Sequence, residues 1–368
     1  MKKVLYINNF EAPYRVPFYN LLGEHYDLTI AFSETQDEQK GRDKKWFSNE
    51  KRNYKIIQLN GKNIFGKRVC FDVKKMLKDY DLVFMDMYGS PTNIYAMHCL
   101  KRSGVPFVLS VDGMLDRSNE KALSVMLKRF CLNAPHIVMS PGESVDKCIL
   151  SYGVDPSKLR RYHFTSLTSA DIEKARIMTE NNKQALREKL GVCEKKMLLS
   201  IGQFIHRKGF DVLLKAMENL SNDIGVYIVG GEPTEEYIRI KESLNLKNVH
   251  FVGFKIKDEL AEYYAAADAF VLPTREDIWG LVINEAMAYS LPVITTDRCV
   301  AGLSLVKKNG YIVPVDNVGE LAEKIALLLF DDFAMVEYRK NSFETIRYYT
   351  VETMAAEHIE IFDSILEK

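Results

Sequence analysis

Phe270-Val271-Leu272-Pro273-Thr274-Arg275-Glu276-Asp277-Ile278-Trp279-Gly280-Leu281-Val282-Ile283-Asn284-Glu285-Ala286 reads as a strand, a turn and a helix. The apolar run 269–272 has strand length, Pro273 ends it, and the apolar spacing that follows predicts a helix over 281–289. Asp277 then sits at the carboxyl end of a strand, and the first amides of the helix, from Gly280 through Leu281 and Val282, face the same place. Helix-start N–H groups lack intrahelical acceptors and can hold a phosphate. Gly280 lets backbone and phosphate approach closely. Glu285 lies eight positions beyond Asp277, flanked by Ile283, Ala286, Met287 and Ala288. It reads either as a solvated helix residue or as a half-buried carboxylate that needs partners, and the two neighbouring hydroxyls of a ribose would serve. For Glu276 and Asp277 the alternative reading is a simple helix N-cap.

The segments around this stretch repeat its pattern. Upstream, strands are predicted at 197–201, 224–229 and 249–252, with helices at 210–220, 234–243 and 258–266. Downstream lie strands at 292–295 and 311–313 and a helix at 318–329, then a long helical tail over 333–368. The first half alternates likewise: strands at 4–8, 26–31, 82–85, 105–111 and 137–139, with helices beginning at 16, 71, 91, 122 and 143. Short apolar strands separated by helices imply parallel sheets covered on both faces. The 368 residues are about right for two such domains. Residues 1–165 form the first, 166–192 a linker and leading helix, and 193–345 the second, with 346–368 a terminal helix packing back on the first. Ligands bind outside the carboxyl ends of such strands, which puts the expected site in a cleft between the domains.

Composition narrows the class. No run reaches the roughly 18 apolar residues needed to cross a bilayer, and the opening Met-Lys-Lys-Val-Leu-Tyr-Ile-Asn-Asn turns polar too soon for a signal peptide. A cytoplasmic location is expected. The six cysteines include no Cys-x-x-Cys pair, which argues against a disulfide framework or a zinc site. Net charge is zero, yet residues 1–180 hold 28 Lys and Arg against 21 Asp and Glu, and residues 181–368 hold 22 against 29. The basic first half is compatible with an anionic partner or lipid surface.

With these readings in place, residues 273–294, ending Ala286-Met287-Ala288-Tyr289-Ser290-Leu291-Pro292-Val293-Ile294, resemble the signature of the retaining family 4 glycosyltransferases, whose fold is GT-B: two Rossmann-like domains facing across a cleft. The resemblance implies that Glu285 holds the donor ribose and that Asp277, where the family usually has Glu, contacts the transferred sugar. Ile201-Gly202-Gln203-Phe204-Ile205-His206-Arg207-Lys208-Gly209 resembles a second family motif, an Arg followed five positions later by Lys. Lys208 fits the Lys and Gln203 stands in the Arg position. Here a cation beside a glycine turn would neutralise a departing diphosphate. Val229-Gly230-Gly231-Glu232 and Phe251-Val252-Gly253-Phe254 resemble the family's glycine turn and its nucleotide-base loop. The match is good over 195–330 and loose over 1–165.

In the first half, Asn8-Asn9-Phe10-Glu11-Ala12-Pro13-Tyr14-Arg15 replaces the glycine pair of many relatives, and Arg15 reads as a phosphate contact or a surface charge. The strand ending Val111-Asp112-Gly113 carries Asp112 where relatives often have a His near the reacting carbon, so Asp112 is the candidate acceptor-side contact.

The resemblance implies a metal-independent enzyme without a cofactor beyond its donor, a nucleotide diphosphate-sugar. It passes a hexose or related sugar to a glycan or polyprenyl-linked acceptor of capsule or lipopolysaccharide assembly. Contact with the inner face of the cell membrane through the basic first domain is expected, and no nucleic acid. The catalytic group is Asp112, Asp277 and Lys208. The donor group is Glu285, Gly280, Leu281, Val282, Gln203, Gly202, Arg15 and Gly230. Two other classes remain: a nucleotide-sugar epimerase of the same fold, and a non-catalytic nucleotide-sugar binding protein.

Overall fold

The computed structural model describes residues 1–35, 51–64, 66–117, 119–181 and 183–367. The chain divides into two compact units, Met1–Ser166 with Val351–Lys368, and Leu167–Thr350.

Unit 1 contains β1 (Lys3–Asn8), α1 (Val16–His25), β2 (Asp27–Phe32), β3 (Lys55–Gln58), β4 (Lys62–Ile64), β5 (Lys67–Val69), α2 (Val73–Met76), β6 (Leu82–Met85), α3 (Pro91–Ser103), β7 (Phe107–Ser110), α4 (Ala122–Asn133), β8 (Ile137–Ser140), α5 (Glu143–Ser151) and β9 (Leu159–Arg161). Seven strands form one sheet in the order β3-β2-β1-β6-β7-β8-β9, every pairing parallel. The apolar runs Leu82–Met85 and Phe107–Ser110 are wholly buried, as expected of strands covered on both faces. Two strands of the sheet have no such run. β3 is an edge strand with exposed residues and β9 is largely exposed, so neither carries a readable pattern. β4 and β5 form a separate antiparallel hairpin.

Sequence punctuation sets the helix ends. Ser90 accepts the Asn93 N–H at 3.5 Å, Pro91 occupies the first turn, and Gly104 ends α3 in the left-handed region. The helix expected from residue 71 is shorter than its apolar pattern suggests: α2 is one turn, continued by a 3-10 turn at Leu77–Asp79.

Unit 2 contains α6 (Ser169–Asn181), α7 (Lys183–Leu190), β10 (Lys196–Ile201), α8 (Phe210–Met217), β11 (Ile224–Val229), α9 (Glu235–Ser243), β12 (Val249–Val252), α10 (Lys257–Ala266), β13 (Ala269–Leu272), α11 (Leu281–Ala288), β14 (Val293–Thr296), α12 (Val300–Leu305), β15 (Gly310–Val313), α13 (Val318–Phe330) and α14 (Asp332–Ile346). Its six-stranded parallel sheet runs β12-β11-β10-β13-β14-β15. Phe210, Leu213 and Leu214 of α8 enter a core with Val226, Ile228 and Val271. Each such side chain, fully buried, stabilises the unit by roughly 1.5–3 kcal/mol.

Much of the stretch read as a linker is α6. Its start is a capping box: the Thr168 hydroxyl accepts the Asp171 N–H at 3.1 Å, and Asp171 accepts the Thr168 N–H at 3.0 Å. The long tail is also two helices rather than one. α14 packs in unit 2, where Ser342 donates to the Leu291 carbonyl at 2.8 Å. α15 (Val351–Leu366) packs against α1 of unit 1, burying Met354, His358 and Phe362. One continuous helix cannot follow two separate cores, and the chain turns between Ile346 and Val351.

In each sheet the strand order reverses beside the first strand, between β1 and β6 and between β10 and β13. These are the topological switch points of two Rossmann-like units. Among the described residues no helix is long and apolar enough to cross a membrane.

Candidate active site

At the switch point of unit 2, the loop leaving β13 is clamped from two sides. The Arg275 N–H donates to the Arg207 carbonyl at 2.8 Å, and its guanidinium grips Asp211 at 2.8 and 2.7 Å and Asp316 at 2.7 Å. On the other side Asp277 N–H donates to the Arg298 carbonyl at 2.9 Å and the Val300 N–H to the Asp277 carbonyl at 3.1 Å. Trp279 is buried and its Nε1 donates to Asn284 Oδ1 at 2.9 Å, tying the loop to α11.

This scaffold brings Lys208, on a 3-10 turn after β10, to Asp277. The Lys208 Nζ donates to Asp277 Oδ2 at 2.6 Å, with both side chains nearly buried. Arg207 stands 3.7 Å from the same oxygen, half-exposed, and donates to the Glu276 carbonyl at 2.6 Å. The cluster of one carboxylate and two cations keeps one net positive charge. Asp277 does not cap α11: that position is Gly280, at φ 105, with no side-chain cap.

Glu285 lies in α11 and is half-buried. Desolvation pushes its carboxyl above the usual range, opposed by the Tyr264 hydroxyl, which donates to Oε2 at 2.8 Å. Oε1 has no hydrogen bond among the described residues. Tyr264 is itself buried and stacked on Tyr289 with ring centroids 5.2 Å apart.

The amides of Leu281 and Val282 begin α11. Gly202 donates its N–H to the Val229 carbonyl at 2.9 Å, and Gln203 is exposed. A Cβ on Gly230 would lie 2.0 Å from the Gly202 carbonyl oxygen, so only glycine lets the turns after β10 and β11 sit together.

Unit 1 has a second cluster at its own switch point. Arg15 is buried, on a 3-10 turn after β1. Its Nη2 meets Asp112 Oδ2 in a short contact and lies 3.3 Å from Asp86 Oδ2. Nη1 donates to the Tyr6 hydroxyl at 3.3 Å, and Phe164 lies under the guanidinium at 5.3 Å. Asp112 follows β7. Its Oδ1 accepts the Tyr162 hydroxyl at 2.5 Å and the Ser110 hydroxyl at 3.0 Å. The surface-charge reading of Arg15 is thus corrected: the guanidinium is covered and shared between two carboxylates.

Within unit 2 the structure brings together Lys208 with Asp277, and Gly202 with Gly230. Within unit 1 it joins Arg15 to Asp112. Sequence reasoning missed Tyr264, the Arg275–Asp211 clamp, Asp86 and Tyr162, because each acts through a partner distant in the chain. Asp86 had one available signal, its place immediately after an apolar strand.

Residues 182–345 match the family model described as glycosyl transferases group 1. Among curated proteins, the N,N'-diacetylbacillosaminyl-diphospho-undecaprenol alpha-1,3-N-acetylgalactosaminyltransferase of Campylobacter jejuni is 21% identical over 308 residues, 81% of each chain. The lipopolysaccharide glucosyltransferase WaaG of Escherichia coli is 32% identical over 125 residues, 32% of this chain and 33% of that protein. Among solved structures, the Anabaena protein HepE in complex with UDP superposes with a TM-score of 0.76 at 17% identity, covering 99% of this chain and all of the other. The two parallel-sheet units and these similarities make the chain a glycosyltransferase enzyme of the GT-B fold, related to the polysaccharide and lipopolysaccharide enzymes of bacteria.

Proposed function

We propose that this enzyme is a retaining glycosyltransferase of family 4. It moves a hexose or related sugar from a nucleotide diphosphate-sugar to a hydroxyl of a glycan or polyprenyl-linked glycan. The observation that carries the reading is the arrangement after β10 and β13. A nearly buried Lys208–Asp277 pair with Arg207 beside it shares the switch point of unit 2 with the start of α11, which also carries Glu285 with an open Oε1.

Each part has a chemical task in the proposal. Glu285 accepts the ribose hydroxyls through Oε1, held in place by Tyr264. Lys208, Arg207 and the amides of Leu281 and Val282 receive the charge that grows on the diphosphate as the glycosidic bond breaks. Asp277 orients the sugar and holds Lys208 until a phosphate competes for it. Gly202, Gln203, Gly230 and Gly280 shape the backbone around the diphosphate. In the retaining course the acceptor hydroxyl attacks the face the diphosphate leaves, and the leaving phosphate takes its proton. Asp112 orients the acceptor side, with Arg15 fixing its carboxylate. The acidic and basic groups named here supply this course without a metal.

Contact with the inner face of a membrane is part of the proposal. α4 exposes Leu123, Met126 and Leu127 along one face beside Lys121 and Arg129, in the half of the chain with the positive surplus.

The test is incubation of the purified protein with a panel of nucleotide-sugars and lipid-linked acceptors, following nucleoside diphosphate release and product. A new glycoside with retained anomeric configuration supports the reading. Inverted configuration, epimerised donor without a new glycoside, or binding without turnover overturns it.

A further inference from the structure

We propose that Asp86 is a positioning residue of the unit 1 site, setting the charge and orientation of Asp112 through Arg15. The inference rests on the reading of Asp112 as a group that faces substrate.

Asp86 follows β6 directly, beside the carboxyl end of β1, at the point where the strand order reverses. Its Oδ2 accepts the Tyr6 hydroxyl at 2.6 Å and the Asn8 amide at 2.9 Å, and lies 3.3 Å from Arg15 Nη2. Its Oδ1 is buried and has no hydrogen-bond partner among the described residues. Such an orphaned oxygen costs about 1–3 kcal/mol and does not persist on a carboxylate without a reason.

Exposure rises outward through the triad. The side chains of Asp86 and Arg15 are 6% and 7% exposed, and that of Asp112 is 23% exposed. Arg15 therefore stands between a buried carboxylate and one that solvent or a substrate can reach. A guanidinium carries one charge, and two carboxylates compete for it through the same Nη2. When Asp86 is ionised, Arg15 is shared and the triad carries one net negative charge. When Asp86 holds a proton, the whole guanidinium charge serves Asp112.

Desolvation, with Asp112 adding to it and Arg15 opposing it, pushes the Asp86 carboxyl up to about 6. The exchange then falls near neutral pH. The other groups around the triad are Tyr6 of β1, Tyr19 of α1, Tyr14 beside Arg15, Tyr162 after β9 and His358 of α15. Burial holds the phenols of Tyr6, Tyr19 and Tyr162 in their neutral form and pushes His358 down to about 4. Those four keep one charge state through neutrality, leaving the exchange to the carboxylates.

The test compares the full-length protein with Asp86→Asn, Asp86→Glu and Asp112→Asn. Nitrogen-15 NMR of the Arg15 guanidinium is followed from pH 5 to 8, with kcat/KM measured on whichever nucleotide-sugar of the panel yields nucleoside diphosphate. Expected are an Arg15 signal and a rate profile that both titrate near pH 6 in the parent protein. Both should become flat in Asp86→Asn, with kcat changed about tenfold and donor KM within about twofold. Asp86→Glu should regain a titrating limb. An Arg15 signal or rate profile in Asp86→Asn that superposes on the parent overturns the inference, and the NMR readout decides this even if activity is lost. Asp112→Asn with parental turnover overturns instead the reading on which the inference rests.

Discussion

Lys208 holds Asp277 at 2.6 Å, two side chains 69 positions apart in the chain and both nearly buried. Lys208 is thus ion-paired in the free protein, and in the proposed mechanism the donor diphosphate competes with Asp277 for it. Asp277→Asn should tighten binding of UDP alone by severalfold while lowering kcat. Lys208→Ala should lower kcat by about 10²–10³, the usual loss when one charge-stabilising donor is removed. Calorimetry with UDP and turnover measurements check both.

Glu285→Ala should weaken nucleotide binding by about 10- to 100-fold, in line with roughly 1.5–3 kcal/mol for hydrogen bonds to a charged group. The pH dependence follows from its raised carboxyl. Nucleotide binding that needs the ionised form is lost as pH falls. The Tyr264 hydrogen bond lowers this carboxyl's pKa, so Tyr264→Phe moves that loss to higher pH. Affinity titrations across pH 4–8 measure the displacement.

The Arg275–Asp211 fork sits under the loop leaving β13, with the two side chains 17% and 14% exposed. Asp211→Ala leaves a covered guanidinium whose carboxylate partner among the described residues is the half-exposed Asp316. A loss of about 2–4 kcal/mol in unfolding free energy is expected, read from urea denaturation.

Asp86 also marks stability. Its carboxyl is raised to about 6 in the folded protein, against about 3.9 when unfolded. Between those values the native state binds the proton more tightly. The contribution is therefore full below pH 4 and is lost as pH rises through 6. The stability of the parent relative to Asp86→Asn should decline over that window by up to about 3 kcal/mol. Urea denaturation of both proteins at pH 4 and pH 7 checks the sign.

Leu123, Met126 and Leu127 are 72%, 63% and 41% exposed on α4. Their joint replacement by Ser should abolish cosedimentation with vesicles containing anionic phosphatidylglycerol and leave the melting temperature unchanged. Equal sedimentation of the two proteins would remove α4 from the proposed membrane contact.

The linear chain showed the α/β alternation because buried parallel strands demand apolar runs, as at 82–85, 107–110 and 269–272. It hid β3 and β9, whose exposed residues need no such run, and it hid α6, whose capping box lies in an otherwise polar stretch. Glu285 stood out because a carboxylate interrupts an apolar helix. Tyr264 did not, since nothing local to it distinguishes a core tyrosine from one aimed at a carboxylate 21 positions away.

Periodicity, glycine turns and the spacing of Lys208, Asp277 and Glu285 are local properties, and the sequence by itself determined from them two Rossmann-like units and the strand ends where the candidate site lies. Which charges are paired was decided only by tertiary structure. Arg15 is shared between Asp86 and Asp112, and Lys208 is held by Asp277, because parallel strands joined by long crossovers bring distant strand ends side by side. Electrostatic partnership depends on distance in space, which strand order sets and residue spacing along the chain does not.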